Sequence, residues 1–151
     1  MFNGQSVYNI DDKGRLIFPP AYRASMGLRF HITKGLGKCL FVFRKEEWDA
    51  FNQTLVGQSF LDPHARRLQL HFCGSATETH ADGQNRVPIP QALREYAGIE
   101  NEVVIVGAAN HIELWSPSEW QRFNESISEE ALLESAQALG MVKTNNALAE
   151  A

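Results

Sequence analysis

The segment DDKGRLIFP, residues 11–19, recurs 71 residues later as DGQNRVPIP, residues 82–90. The positions that are identical at this offset include charged residues, prolines and glycines: Asp11 and Asp82, Arg15 and Arg86, Pro19 and Pro90, Arg23 and Arg94, Gly27 and Gly98. Self-similarity at a fixed offset is the signature of a repeat architecture. The chain is therefore interpreted as a tandem duplication.

Each copy is predicted to contain the same elements in the same order. A polar strand leads into the turn that carries the arginine, and a short strand then ends at proline. One helical turn follows, for which Pro20 or Pro90 suits the first position and Gly27 or Gly98 the left-handed residue past its end. Apolar runs predict two hairpins, and their strands are residues 30–34 with 39–44, and 102–106 with 111–115.

Amphipathic helices are predicted to close each copy and to connect them. Trp48, Phe51 and Leu55 share one helical face in the first copy, and Trp120, Phe123 and Ile127 do so in the second. Asp62 and Pro63 begin a connecting helix whose inward face is Ala65, Leu68 and Phe72. A last helix is expected at residues 128–139 and a loose tail at 141–151.

These elements predict an α+β chain, described as mainly β with α. We expect a first repeat at 5–47, a helical connection at 48–75, a second repeat at 76–119, and C-terminal helices with the tail at 120–151. At 151 residues in total, repeats of this size are marginal alone, because small domains bury too little apolar surface. The two repeats are therefore expected to share one core.

Charge is distributed unevenly along the chain. The net charge is −4, yet residues 1–45 contain eight lysines and arginines against Asp11 and Asp12. The second repeat contains seven acidic residues and only two basic ones, Arg86 and Arg94. A basic face on an acidic chain favours binding of phosphates by the first copy.

The duplicated Asp-x-x-x-Arg element is the candidate site. The guanidinium of Arg15 or Arg86 offers a planar fork of donors that matches phosphate oxygens or a guanine edge, and Lys13 adds a point charge. The preceding aspartate could hold that guanidinium or accept turn amides. The alternative is that each Asp and Arg form an ion pair that only stabilises the turn.

A metal site is a further, less favoured hypothesis. His64, His71, Cys73 and His80 lie close in sequence, and His71 and Cys73 would share one side of a strand. Their spacing matches no common structural zinc pattern. A metal-dependent hydrolase using His71, Cys73 and His80 is therefore not favoured, and no metal or other cofactor is expected.

Other motifs give no sign of catalysis or of membrane insertion. No phosphate-binding loop, nucleophile elbow or metalloprotease motif is present, so we do not expect an enzyme or a small-molecule substrate. Cys39 and Cys73 fall in strand-like contexts and are expected to be small core residues, while His31 and His111 should be half-buried. The sequence has no secretion signal or apolar span, which predicts a cytoplasmic protein.

The motifs taken together resemble the MraZ family of bacterial transcription regulators over about residues 1–125. The matching motifs are Met1-Phe2-x-Gly4, Asp11-x-Lys13-Gly14-Arg15-Leu16-x-x-Pro19-x-x-x-Arg23, Glu47-Trp48, Ala65-Arg66-Arg67, and Asp82-Gly83-x-x-Arg86 with Arg94. The family commonly has glycine where this chain has Asn85, a residue that tolerates a left-handed turn.

The resemblance implies two AbrB-like modules of the swapped-hairpin or double-split β-barrel type. It further implies a ring-like homo-oligomer that binds double-stranded DNA, associates with the nucleoid and contacts direct repeats in promoters. The expected role is repression of the division and cell-wall gene cluster, including its own gene. By position, the implied DNA-binding residues are Asp11, Lys13, Gly14, Arg15, Asp82 and Arg86. The alternative is an oligomeric protein-interaction or antitoxin-like module with little specific DNA binding.

Overall fold

The computed structural model describes residues 1–142 and divides the chain into two compact units, Met1–Glu119 and the segment from Trp120 onward. The elements, in chain order, are β1 (Gln5–Asn9), β2 (Arg15–Ile17), α1 (Pro20–Met26), β3 (Phe30–Lys34), β4 (Cys39–Arg44), α2 (Lys45–Val56), α3 (Pro63–Ser75), β5 (Thr77–Thr79), β6 (Arg86–Pro88), α4 (Gln91–Ala97), β7 (Glu102–Ala108), β8 (His111–Trp115), α5 (Pro117–Glu125) and α6 (Glu129–Ala138). The predicted α+β class is confirmed, but the description as mainly β is wrong, because helices α2, α3, α5 and α6 are long and more of the described residues lie in helices than in strands.

The strands of the two repeats are exchanged within one antiparallel sheet. Its strand order is β1-β7-β8-β4-β3-β5, and β2 pairs with β6 in a separate two-stranded ribbon. The first strand of each repeat therefore pairs with the hairpin of the other, as β1 with β7 and β5 with β3. Exchanging the two repeats simply reverses the strand order, so a local two-fold relation connects them.

The local two-fold relation is also visible in individual residue pairs. Leu16 pairs with Val87 in the ribbon, and these residues match at the 71-residue offset. At the centre of the sheet Phe41 pairs with Glu113, which match after the one-residue insertion. Equivalent positions of the two repeats thus face each other at the middle of both sheets.

One apolar core within Met1–Glu119 draws on both repeats. It includes Leu16, Ile32 and Leu40 from the first and Ile105 and Leu114 from the second, all fully buried. Strands of three residues such as β2 and β6 cannot bury a core alone. Sharing the core is what makes repeats of this size stable, as the sequence predicts.

Helices α1 and α4 each have seven residues, longer than the predicted single turn. Pro20 occupies the first position of α1, as predicted, whereas Pro90 is the residue before α4 and not its first residue. Gly98 is left-handed, with φ 69° and ψ 26°. Gly27 also has positive φ, but its ψ of −167° sends the chain outward.

The second hairpin differs from its prediction. Strand β7 continues to Ala108, so residues 107–110 are not the connecting turn, and Ala109 and Asn110 alone connect β7 to β8. Gly107 lies within the strand, and a side chain does not fit there because a Cβ would come within 2.4 Å of the Asn3 backbone. This glycine permits close approach of the N-terminal segment.

Helices α2 and α3 follow the predicted faces with one exception. Trp48 and Leu55 are buried and Phe51 is half-buried, whereas Leu68 of α3 is 42% exposed and lies off the inward face. The Asp62 side chain caps α3 by accepting from the amides of His64 and Ala65. The helical connection is therefore packed as expected.

The C-terminal unit contains most of α5 and all of α6. Helix α5 ends at Glu125, so Ile127 lies beyond it and does not continue the face predicted for Trp120 and Phe123. Helix α6 begins after the capping residue Ser128 and ends close to Gly140, as predicted. Most of the predicted tail, residues 143–151, lies outside the described residues. Among residues 1–142, no helix has both the length and the apolar composition needed to cross a membrane.

Candidate nucleic-acid interface

The ribbon formed by β2 and β6 positions both candidate arginines on one face. Side chains alternate across a strand, and Leu16 and Val87 at the ribbon centre point into the core. Arg15 and Arg86 therefore project from the opposite face. They are diagonal neighbours across the ribbon, which places their Cα atoms about 7–8 Å apart.

Turn 1, residues Asp11–Arg15, is organised around the aspartate. Its Oδ1 accepts hydrogen bonds from the amides of Lys13 at 3.0 Å and Arg15 at 2.8 Å. Its Oδ2 accepts from the Arg15 Nε at 2.8 Å. Gly14, with φ 75°, completes the turn by donating its amide to the Asp11 carbonyl.

Turn 2, residues Asp82–Arg86, repeats this geometry. Asp82 Oδ1 accepts from the amides of Gln84 at 2.8 Å and Arg86 at 2.9 Å, and Oδ2 accepts from Arg86 Nε at 2.8 Å. Asn85 adopts the left-handed conformation of Gly14, with φ 62°. The substitution of asparagine for glycine has therefore preserved the backbone, as the sequence predicts.

The tethered guanidinium groups keep donors that are not used within the chain's described part. Each arginine uses Nε for its aspartate, and no hydrogen bond among residues 1–142 engages the terminal Nη groups of Arg15 or Arg86. Arg15 and Arg86 side chains are 25% and 30% exposed. The two Nη groups can therefore make a two-pronged contact with an acceptor while the aspartate fixes the side chain.

The aspartates are held in the ionised form. The pKa of Asp11 lies below its ordinary value, chiefly because the Arg15 amide donates to the carboxylate. The Arg86 amide lowers the pKa of Asp82 in the same way. Both carboxylates are consequently charged at neutral pH, when they hold their arginines.

A further arginine, Arg94, lies against turn 1, a contact that its sequence context does not predict. A Cβ placed on Gly14 would lie 2.7 Å from the Arg94 Cζ, so the Arg94 guanidinium covers this glycine. Arg94 Nε donates to the Ile89 carbonyl at 2.9 Å. The sequence does give one sign of a role for Arg94, because an arginine, Arg23, occupies the matching position of the first repeat.

The remaining side chain of the predicted set, Lys13, is exposed at the tip of turn 1. Its counterpart in turn 2 is Gln84, which carries no charge. Turn 1 combines Lys13 and Arg15 with Asp11 and Asp12, and the Arg94 guanidinium lies against it. Turn 2 has the uncharged Gly83 and Gln84 in place of Asp12 and Lys13, so the formal charges of each turn sum to zero.

The candidate metal ligands do not converge. His71 and Cys73 lie on helix α3 and not on a strand, so residues two apart point in different directions. His71 Nε2 contacts the Gly35 carbonyl at 2.7 Å, and the exposed Cys73 thiol contacts Asn52. Within residues 1–142, no three His, Cys, Asp or Glu side chains form a group able to hold a metal ion.

The other histidines and cysteine lie largely where predicted. Cys39 is buried in β4, and burial raises the pKa of its thiol to about 12. His31 and His111 are half-buried on strands. The His31 ring stacks on Trp48 with centroids 4.9 Å apart, and its Nδ1 is buried without a hydrogen-bond partner among the described residues. Burial lowers the pKa of His31.

Comparison with known proteins agrees with the repeat. A family model described as "MraZ protein, putative antitoxin-like" matches twice, at residues 1–71 and 72–141. Proteins named "Transcriptional regulator MraZ" are similar along most of their length. The one from Desulforamulus reducens is 44% identical over 82% of this chain and 87% of its own. Those from Moorella thermoacetica and Acetivibrio thermocellus are 43% and 38% identical, over 89% and 93% of this chain and 95% and 100% of their own. The chain belongs to the MraZ family.

Proposed function

We propose that the chain is a sequence-specific, DNA-binding transcription regulator that contacts DNA through turn 1 and turn 2. The observation that carries the proposal is the pair of aspartate-tethered arginines, Arg15 and Arg86, which project from one face of the ribbon and use only Nε for their aspartates. The local two-fold relation places both arginines on the same face, so the ribbon offers two guanidinium groups to one surface. The names of the relatives support a regulatory role.

The geometry of the ribbon suits double-stranded DNA. The major groove is wide enough for a two-stranded β ribbon, and arginine commonly binds the two acceptors of guanine with paired donors. The Asp11 tether fixes the Arg15 side chain beforehand, so less conformational entropy is lost when the contact forms. Lys13, at the exposed tip, suits a phosphate contact.

Turn 1 is proposed as the dominant contact. It carries Lys13 and lies in the basic first repeat, whereas turn 2 lies in a repeat where acidic residues outnumber Arg86 and Arg94. Exposed charges are screened over about 8–10 Å at physiological salt, and within that range Lys13 gives turn 1 an exposed cation where turn 2 has the uncharged Gln84. We therefore assign the larger share of binding to Arg15 and the smaller to Arg86.

Several finer features complete the proposal. The exchanged strands are interpreted as an AbrB-like double-split β-barrel of the swapped-hairpin type. A ring-like homo-oligomer would present many turns and bind direct repeats through multivalency. Such a regulator would act in the cytoplasm on nucleoid DNA, as a repressor of the division and cell-wall gene cluster that includes its own gene.

The test is a gel shift on the DNA just upstream of this protein's own gene, with unrelated DNA as competitor. Wild-type protein should form a complex that resists the competitor, and Arg15→Ala should lose it. If Arg15 reads a base, scrambling the site should cost the wild type far more than the variant. If Arg15 touches only phosphate, the variant should weaken equally on every sequence and show a smaller salt dependence.

A second candidate function is an oligomeric, antitoxin-like module that binds a partner protein. The description of the matching family model and the acidic second repeat favour this candidate. Failure of the wild-type protein to shift any DNA at low salt would reject the regulator proposal and favour the module.

A further inference from the structure

A cavity of about 280 Å³ lies beside turn 2. Its walls are mainly apolar and come from both repeats, namely Phe18, Met26, Gly27, Leu28, Phe30, Ala81 and Val87. Asp82 and Asn85 of turn 2 line one side, and Arg23 contributes a guanidinium. Apolar walls with a few polar groups are typical of sites for small molecules.

The matched positions beside turn 1 hold larger, buried side chains. Ile10 and Ile99 are only 7% and 5% exposed and belong to the core. At the 71-residue offset their counterparts are Ala81 and Leu28. Alanine is smaller than isoleucine, and Leu28 is 90% exposed. The cavity therefore exists because neither residue fills the space that its counterpart fills in the other half of the molecule.

The backbone explains the outward position of Leu28. After α4 the left-handed Gly98 turns the chain back, and the Ile99 amide donates to the Arg94 carbonyl at 2.9 Å. After α1 the extended ψ of −167° at Gly27 directs the chain away from the core. The difference between the two sites is thus built into the fold.

Arg23 gives the cavity a positive group. Its Nε donates to the Phe18 carbonyl at 3.2 Å, and it forms no ion pair with a carboxylate among residues 1–142. Asp82, the acidic residue in the lining, already accepts from the amides of Gln84 and Arg86 and from the Arg86 Nε. Arg23 is exposed, and its Nη groups make no hydrogen bond among residues 1–142, so they are available to a carboxylate at the cavity.

We infer that this cavity binds a small carboxylate with an apolar body, with the carboxylate on Arg23 and the body against Met26 and Val87. Such a ligand would touch Asp82 and Asn85 and so bias the position of turn 2. Binding itself does not depend on the proposed function, whereas an effect on DNA affinity rests on it.

The test uses octanoate and protein labelled with ¹³C at the methionine methyl groups. The chain has three methionines, Met1, Met26 and Met141, and of these only Met26 lines the cavity. Octanoate should shift the Met26 methyl signal saturably and leave the other two unchanged. Octanol should bind about tenfold more weakly or worse, because a charge-assisted hydrogen bond is lost. No Met26 shift, or equal binding of octanol, would overturn the inference.

Three variants sharpen the experiment. Ala81→Ile places the residue of the matched position, Ile10, into the cavity and should abolish binding. Arg23→Gln should weaken octanoate about tenfold and leave octanol unchanged. Arg66→Gln, which removes an exposed arginine of α3, is the charge-matched control and should bind as wild type. Unchanged octanoate binding in Ala81→Ile, with its folding verified by thermal unfolding, would contradict the site.

These binding measurements contain no DNA, so their outcome does not depend on whether the protein binds DNA. If Ala81→Ile does not fold, Arg23→Gln and the Met26 signal still decide the question. The coupling to turn 2 is measured separately, as the change in DNA affinity caused by saturating octanoate. An octanoate effect that persists in a folded Ala81→Ile protein would refute the coupling.

Discussion

Replacing Gly14 with alanine adds one methyl group at the point where Arg94 covers turn 1. Gly14 has φ 75°, a conformation that costs an alanine about 1–2 kcal/mol. The new Cβ would lie 2.7 Å from the Arg94 Cζ, so the guanidinium must move. This movement weakens or breaks the 2.9 Å hydrogen bond that the Arg94 Nε donates to the Ile89 carbonyl. Such a bond contributes about 0.5–1.5 kcal/mol to stability.

Gly14→Ala is therefore expected to lower the free energy of unfolding by about 2–3 kcal/mol and the Tm by about 5–10 °C. In an Arg94→Ala background the steric part disappears and only the backbone cost, about 1–2 kcal/mol, should remain. Urea unfolding of the wild type, both single variants and the double variant measures this coupling directly. A non-zero coupling energy would show that Arg94 of the second repeat packs on turn 1 of the first.

Asn85→Ala is the matched control in turn 2. Asn85 already carries a Cβ at the equivalent position, so this variant should cost less than about 1 kcal/mol, mainly the weaker preference of alanine for the left-handed region. Equal costs of Gly14→Ala with and without Arg94 would refute the packing of this arginine on turn 1. A cost below about 0.5 kcal/mol for Gly14→Ala would refute the strain argument as well.

Two further predictions concern buried titratable groups. Burial lowers the pKa of His31 below its ordinary 6.5, an effect that Glu78 and Asp49 oppose. The contribution of His31 to the free energy of unfolding should therefore be full at neutral pH and be lost as the pH drops below about 6.5. His31→Phe should make the free energy of unfolding less dependent on pH in unfolding curves recorded at pH 5–7.5. An unchanged pH dependence in this variant would contradict the role of His31. Cys39 is buried with a pKa of about 12 and Cys73 is exposed, so a thiol reagent should modify one cysteine in the native protein, and Cys73→Ser should abolish that reaction. Rapid modification of two thiols before unfolding would show that Cys39 is accessible.

Helices and strands were predictable where polar residues or glycines mark the two ends of an apolar run. Strands β3, β4 and β8 begin and end at the predicted residues because apolar runs are bounded by polar or glycine residues. The same rule failed at Gly107, where glycine permits close packing on Asn3 within a strand. It also failed at Cys73, because the sequence LQLHFC alternates like a strand although the helix capped by Asp62 continues through it.

Strand pairing between distant parts of the chain could not be predicted from residue patterns. The exchange of β1 and β5 between repeats depends on pairing across more than 40 residues, for which periodicity carries no information. The turns themselves were predictable, since Asp-x-x-x-Arg fixes its own hydrogen bonds within five residues. The contact between Arg94 and Gly14 was not, because it joins opposite repeats.

The tethered arginines on the ribbon are proposed to contact DNA. The most direct test is fluorescence anisotropy with the upstream DNA at several salt concentrations, comparing Arg15→Ala and Arg86→Ala with Arg66→Ala, an exposed arginine on α3. Arg15→Ala should weaken binding by about tenfold or more, Arg86→Ala by less, and Arg66→Ala should match the wild type. Equal losses in Arg15→Ala and Arg66→Ala, or full affinity in Arg15→Ala, would contradict the claim.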